Sequence, residues 1–192
     1  EYPGMRILRQ DPWETLASFI LSSTSNIPRI SRTVEAIADR FGIPQRVGDS
    51  TRNAFPSADI LSLASERKLR DLGCGFRAPY LLAAAQAVAT DRIHFGDLRQ
   101  ATYDEAREWL VTLRGVGDKI ADCVMLFSLD KPMAFPVDRW VLRVVHECYG
   151  LSERTKYDEI RNWSWGRFGN DAGYANQYLF WRVRQSNRIR TP

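Results

Sequence analysis

Helix start signals recur along this chain, and no stretch alternates apolar with polar residues at period two for long enough to make a strand. Asp11-Pro12-Trp13-Glu14 sets a capping aspartate, a proline at the first helical position and a glutamate that completes the cap. Trp13, Leu16, Ala17, Ile20 and Leu21 follow at helical spacing. Asn26 and Pro28 break and restart the pattern, and Ile30, Val34, Ile37, Ala38 and Phe41 mark a second helix ending at Gly42. Pro44, Gly48, Asp49, Ser50 and Pro56 read as a polar loop. Short helices are expected near 58–64 and 65–72, the second stopped by Gly73 and Gly75, and an alanine-rich helix over 77–90. Thr102 and Glu105 cap another that runs to about Leu113, a capped helix starts at Asp138, and two more fit near 155–165 and 172–186. The expectation is an all-α fold of two helical layers around a cleft, with the ends of the chain in one layer and the middle in the other.

At 192 residues, with 44% hydrophobic and 26% charged residues, the chain can bury a core and is not of disordered composition. No linker longer than about a dozen residues divides it, so residues 1–192 read as one domain. The cysteines Cys74, Cys123 and Cys148 are odd in number and widely spaced, which excludes a disulfide framework, a zinc pattern and a four-cysteine iron–sulfur signature. A reducing, intracellular compartment is the simplest reading. The most apolar stretch carries Asp122 and falls short of a membrane span, so no membrane partner is expected. A formal charge of +4 permits an anionic partner without requiring one. Arg29, Arg32, Arg77, Arg114, Arg139, Arg143, Arg182, Arg184, Arg188 and Arg190 sit near turns or helix ends, where phosphate contacts are made; for any one of them a solvated basic face is the plainer reading.

Chemistry concentrates in 113–138, LRGVGDKIADCVMLFSLDKPMAFPVD. Gly115-Val116-Gly117 can turn tightly and bring backbone N–H groups to a phosphate without a Cβ in the way. Lys119 follows on an otherwise apolar segment, Ile120, Ala121, Val124, Leu126 and Phe127, and Asp138 arrives after Pro136 at the head of a helix. Taken singly, a lysine at a helix start is usually solvated and an aspartate there usually just a cap. Together, a hairpin, an amine and a carboxylate point to chemistry on a nucleotide.

The segment resembles the helix-hairpin-helix DNA glycosylases, and among them the 8-oxoguanine DNA glycosylase/lyases of eukaryotic type, with the motif at about 104–128. The likeness covers nearly the whole chain: Leu8-Arg9-Gln10-Asp11-Pro12, Ser22-Ser23, Gly73 to Ala78, Gly115 to Cys123, Leu129 to Pro132, Pro136-Val137-Asp138, and Ala172 to Ala175 leading to Leu179-Phe180. It implies an enzyme that flips a damaged purine out of duplex DNA. Lys119 would attack the sugar and form a Schiff base, with Asp138 orienting it and stabilising positive charge on the sugar. Gly115, Val116 and Gly117 would hold a phosphate. Cys123 and Phe180 would pack on the two faces of the flipped base, and Asn176 would read its edge. Arg29 and Arg77 would read the orphaned cytosine, with Phe76 as a wedge and Thr24 beside the vacated stack. No metal or cofactor is implied, though a monovalent or divalent cation at the hairpin is compatible; the partner would be lesion-bearing duplex DNA, and the protein a monomer. The chain departs from that family at Asn176 (a glutamine there), Thr24 (an asparagine), and Trp140 and Val183 (a histidine and an aspartate), and it begins where the family's N-terminal domain ends. Rival readings are an alkylpurine glycosylase, which generally lacks the lysine, and a non-catalytic helix-hairpin-helix module.

Overall fold

The computed structural model describes residues 3–189, with side chains through Arg184; Arg188 and Arg190, counted above among the arginines near turns, lie outside the described side chains. The chain is helical, as expected. Helix α1 (Pro12–Ser22) begins at its foreseen cap, Asp11 accepting from the Glu14 N–H at 2.8 Å, and α2 (Ile27–Phe41) restarts where expected, with Asn26 as a cap that accepts from the Arg29 N–H at 3.0 Å. Next come α3 (Ala58–Ser62), α4 (Glu66–Leu69), α5 (Ala78–Ala89), α6 (Phe95–Gln100) and α7 (Tyr103–Val111). Then follow α8 (Asp118–Ser128), α9 (Arg139–Tyr149), α10 (Tyr157–Phe168) and α11 (Ala172–Ile189). Thr102 and Glu105 form the expected reciprocal cap on α7. Helix α6 had no sequence signal: it is short and lacks a side-chain cap.

The expected polar loop after α2 is instead a two-stranded antiparallel ribbon, β1 (Pro44–Val47) and β2 (Ser50–Asn53), with Val47 paired to Ser50. Nearly every residue in it is exposed, so no apolar alternation announced it. Gly48, at φ +59°, supplies the turn. Gly42 ends α2 for a reason other than left-handed backbone. Its φ is −80°, but a Cβ there would stand 2.0 Å from the Ala54 carbonyl oxygen and 2.5 Å from that of Ala38.

Two apolar clusters hold the chain together. The larger takes in residues from Trp13 to Ala134, including Leu16, Ile20, Leu61, Leu81, Leu110, Val124 and Met125. The smaller gathers Phe135, Val141, Val145, Ile160 and Ala172 from the last three helices and the segment before them. Helix α1 packs on α5 and α8 in the larger cluster, while the N-terminal segment before it runs beside Phe168, Tyr174 and Tyr178 near the other end of the chain. The apolar face of α1 is simply complementary to the middle of the chain. Trp165 of α10 joins the clusters, edge-on to Tyr103 at 5.1 Å and donating to the Met133 carbonyl at 2.8 Å.

One ionisable group lies fully buried at that junction. Asp122 of α8 accepts from the Tyr103 hydroxyl at 2.5 Å and from the Tyr157 hydroxyl at 2.6 Å. Burial pushes its carboxyl up to about 6, against the two tyrosine bonds and Arg161, which favour the charge; Asp118 adds to the rise. Burial and the neighbouring carboxylate push both tyrosines upward too, so they stay protonated donors.

Two outcomes follow from this packing. Gly42→Ala forces a Cβ into backbone and should destabilise by roughly 2–3 kcal/mol, lowering Tm by about 4–12 °C in a thermal melt. Because Asp122 holds its proton more tightly folded than unfolded, its stabilising contribution is full below the ordinary carboxylate range and is lost as pH rises through about 6. Urea melts at pH 5 and pH 7.5 should show wild type gaining about 1 kcal/mol on Asp122→Asn at the lower pH. An equal gap at both pH values would mean that Asp122 does not titrate there.

Candidate active site

The Gly115-Val116-Gly117 hairpin joins α7 to α8. Gly115 needs to be glycine twice over: its φ is +87°, and a Cβ would stand 2.6 Å from the Tyr80 ring. Val116 does not face solvent. Its side chain is buried in the larger cluster and its N–H closes the turn on the Leu113 carbonyl at 3.0 Å, so it is not free for a phosphate, as had been expected. Gly117 is open, with nothing within 4 Å of where a Cβ would be, and caps α8 through backbone alone. Its carbonyl accepts from Ile120 and Ala121, each at 3.0 Å, while the N–H groups of Gly117, Asp118 and Lys119 have no acceptor among the described residues. Three unpaired donors at the positive end of a helix are an anion site. Arg107 of α7 pairs with Asp118 and straps the two helices across the hairpin.

Lys119 is half-buried on the first turn of α8. Its Nζ lies 3.4 Å from Ser22 Oγ and 5.0 Å above the Phe19 ring, both on α1, and Phe19 is stacked on Phe127 at 5.7 Å. The expected direct orientation by Asp138 is absent: among the described residues no ion pair joins the two. Asp138 instead caps α9, its Oδ1 accepting from Trp140 and Val141 N–H groups, each at 2.9 Å. The cap occupies one oxygen and sets the plane of the carboxylate. Burial pushes the Cys123 thiol up to about 12; the charge of Lys119 pulls it down, and those of Asp122 and Asp138 push it up further. At 3% exposure it is a neutral, apolar wall.

The other expected pocket residues sit on α11. Phe180 is half-buried against the smaller cluster, with the Arg184 guanidinium 6.0 Å from its ring centre. Asn176 is not free to read a base edge. It is 2% exposed, its Nδ2 donates to the Pro136 carbonyl at 2.8 Å, and its Oδ1 accepts from Gln177 at 3.1 Å. Half-buried Gln177, its neighbour, keeps an amide oxygen with no partner from the chain.

One residue beyond the Ser22 that Lys119 reaches, Arg29, Phe76, Arg77 and Thr24 come together as one group, but Arg77 is largely committed. It is 2% exposed; its Nε donates to the Ser23 carbonyl at 2.6 Å, and its Nη2 donates to Ser23 and, at 2.9 Å, to Thr24. Thr24 has φ +50°, a costly place for a β-branched residue, and the guanidinium holds that turn closed. Only Nη1 of Arg77 remains, 4.0 Å from the point a Gly75 Cβ would occupy, with Nη2 of exposed Arg29 3.9 Å from the same point. Phe76 is 51% exposed beneath Arg77, whose Cζ is 4.3 Å from its ring centre. Burial and the charge of Arg29 both depress the Arg77 pKa.

Phe19 and Ser22 carried no sequence signal of a role beside Lys119, because their neighbour is 97 residues away in the chain. Asp122 did carry one, as a charge in the middle of an apolar helix. Open depressions beside the N-terminal segment, one lined by Ile7, Arg9, Phe127 and Tyr174 and another by Met5, Phe168 and Tyr178, do not include Lys119. Among the described residues no cluster of three His, Cys, Asp or Glu side chains is placed to hold a metal.

Comparison with known proteins places this geometry. Residues 17–169 match the family described as HhH-GPD superfamily base excision DNA repair protein. An N-glycosylase/DNA lyase of Saccharomyces cerevisiae is 35% identical over 92% of this chain and 56% of its own length. A Clostridium acetobutylicum 8-oxoguanine glycosylase/lyase, solved with double-stranded DNA containing cytosine opposite 8-oxoguanine, superposes with a TM-score of 0.89 at 34% identity, over 96% of this chain and 63% of that one. A 3-methyladenine DNA glycosylase from Archaeoglobus fulgidus gives a TM-score of 0.74 at 25% identity, over 92% and 60%. The chain thus spans a little over half the length of these relatives. Since the matched span runs through the hairpin, Lys119 and Asp138 alike, the chain belongs to the HhH-GPD superfamily of base excision DNA repair proteins.

Proposed function

We propose that this chain is the catalytic part of a DNA N-glycosylase with abasic-site lyase activity, acting on 8-oxoguanine in duplex DNA. The observation that carries the reading is the placement of Lys119. A primary amine sits half-buried on the first turn of α8, next to three unpaired N–H groups of an exposed hairpin. A phosphate held by those donors would bring its own nucleotide to the amine. The likeness to glycosylase/lyases in sequence and in fold supports the same reading.

In the reaction, Lys119 gives up a proton and its nitrogen attacks C1′. The N-glycosidic bond breaks, the purine leaves with the bonding pair and takes a proton, and the sugar ring opens to a Schiff base. Loss of a C2′ proton then expels the 3′ phosphate and nicks the strand. Asp138 acts on the sugar and not on the lysine: with Oδ1 held by the α9 N–H groups, its fixed negative charge faces the cation that develops as the base departs. Cys123 and Phe180 wall the flipped base. Gln177, and not Asn176, offers the free amide oxygen for its edge. Phe76 wedges into the opposite strand, and Arg29, with one remaining Arg77 nitrogen, donates to the orphaned cytosine. The chemistry needs no resident cofactor, and the work is DNA-associated and intracellular. An alkylpurine glycosylase or a plain binding module would have no use for the amine.

Borohydride trapping on a duplex with 8-oxoguanine opposite cytosine tests the reading, because only an amine nucleophile leaves a covalent adduct. Wild type should trap. Lys119→Gln should give no adduct and no base release while binding the duplex within about threefold, since the hairpin donors survive. Adduct formation by that variant would assign the nucleophile elsewhere. Asp138→Asn keeps a good cap, so its Tm should change little while single-turnover base release falls by about 10²–10³. A wild-type rate there would reduce Asp138 to a cap.

A further inference from the structure

Lys119 and Asp138 form no ion pair, and the segments that carry them pack in different apolar clusters, Ile120 and Val124 in the larger and Phe135 and Val141 in the smaller, so something else must set the distance between them. Asp138 continues the segment Pro136-Val137, and two hydrogen bonds hold that segment. Asn176 donates to the Pro136 carbonyl at 2.8 Å from α11, and the Tyr157 hydroxyl accepts from the Val137 N–H at 3.2 Å from α10. The second bond leads onward. Tyr157 donates its one hydroxyl proton to Asp122 Oδ2 at 2.6 Å, and Asp122 lies three residues beyond Lys119 on α8. The result is an unbroken path from the lysine helix, through a buried carboxylate and a phenol, to the backbone N–H beside Asp138.

The polarity of the path is fixed. The Val137 N–H can only donate and ionised Asp122 can only accept, so Tyr157, which does both, is the one group in the path able to join them. The Val137 end has no substitute among the described residues, since that N–H bonds to nothing else; at the other end Asp122 Oδ1 is already taken by Tyr103 at 2.5 Å, and Arg161 lends Asp122 its charge without a hydrogen bond. Burial strengthens such bonds and makes an orphaned partner costly. Tyr103 is an internal control, since it gives Asp122 an equivalent bond but, among the described residues, has no hydrogen bond to the Asp138 segment.

We propose that Tyr157 is a positioning residue: its hydroxyl ties the Lys119 helix, through Asp122, to the backbone that carries Asp138, and so sets the spacing of the two reacting groups. This rests on the glycosylase/lyase reading for its chemistry, but the tether can be read without turnover. Displacement of a reacting group by about 1 Å can cost a hundredfold in rate, which is the scale expected if the tether is cut.

The test compares Tyr157→Phe with Tyr103→Phe in three measurements: single-turnover base release from a duplex with 8-oxoguanine opposite cytosine, affinity for that duplex, and hydrogen exchange of the Val137 amide by NMR. Tyr157→Phe should lower the rate about tenfold to a hundredfold, leave affinity within about threefold, and release Val137 to fast exchange. Tyr103→Phe should keep the rate within about threefold and Val137 protected, even with a similar loss of Tm. Two results overturn the proposal: equal rate losses in both variants, which would make the network merely structural, or wild-type rate and protection in Tyr157→Phe. If wild type leaves no trapped adduct, the glycosylase/lyase reading fails. The Val137 exchange then decides the tether alone, fast exchange confined to Tyr157→Phe supporting it and unchanged exchange overturning it. Should Tyr157→Phe fail to fold, Tyr157→Leu, whose side chain can neither donate nor accept, is measured in its place and judged by the same outcomes.

Discussion

Burial of α8 is the constraint from which the rest follows. Ile120 through Leu126 are all below a tenth exposed, so the helix runs through the larger core and only its first turn and Phe127 reach the surface. An end-on helix in such a setting exposes donors without acceptors and a positive dipole end, and it leaves a side chain on that turn little freedom of direction. Lys119 occupies that turn. The same burial that makes the site rigid also prevents Asp122 from meeting water, which is why two tyrosines and Arg161 have gathered about it.

Several polar groups that look ready for DNA are in fact spent on the protein. Arg77 holds the Ser23–Thr24 turn, Asn176 holds Pro136, and the Val116 N–H closes the hairpin. In each case a buried donor has found a backbone carbonyl, which satisfies both groups and fixes a loop bearing a reactive or exposed neighbour. The arrangement separates two tasks. Buried groups set the shape of the site, while groups beside them in sequence or space, Arg29, Gln177 and Gly117, keep unpaired atoms toward solvent. That division suits a protein that must hold an empty binding site open.

Thr24 shows what a departure from the family pattern costs locally. At φ +50°, an asparagine would sit in left-handed backbone with little strain, whereas threonine bears a branched Cβ there. Arg77 supplies the compensation by taking the Ser23 and Thr24 carbonyls together. The turn is kept, and the side chain it presents is shorter.

By itself the sequence determined the helical class, the main caps at Asp11, Thr102 and Asp138, and the hairpin, and it singled out Lys119 and Asp138 as the groups proposed to react. Those signals are local: a cap needs an oxygen three residues from an N–H, and a core face needs only the helical period. The exposed ribbon at 44–53 left no period to read, and α6 had no cap. Only the tertiary structure decided who touches whom. It put Phe19 and Ser22 beside Lys119, locked Arg77 and Asn176 away, placed α1 with the middle of the chain, and ran Asp122 through Tyr157 to Val137. These contacts join residues far apart in sequence, and a hydrogen bond between distant groups depends on how helices pack, which no local pattern encodes.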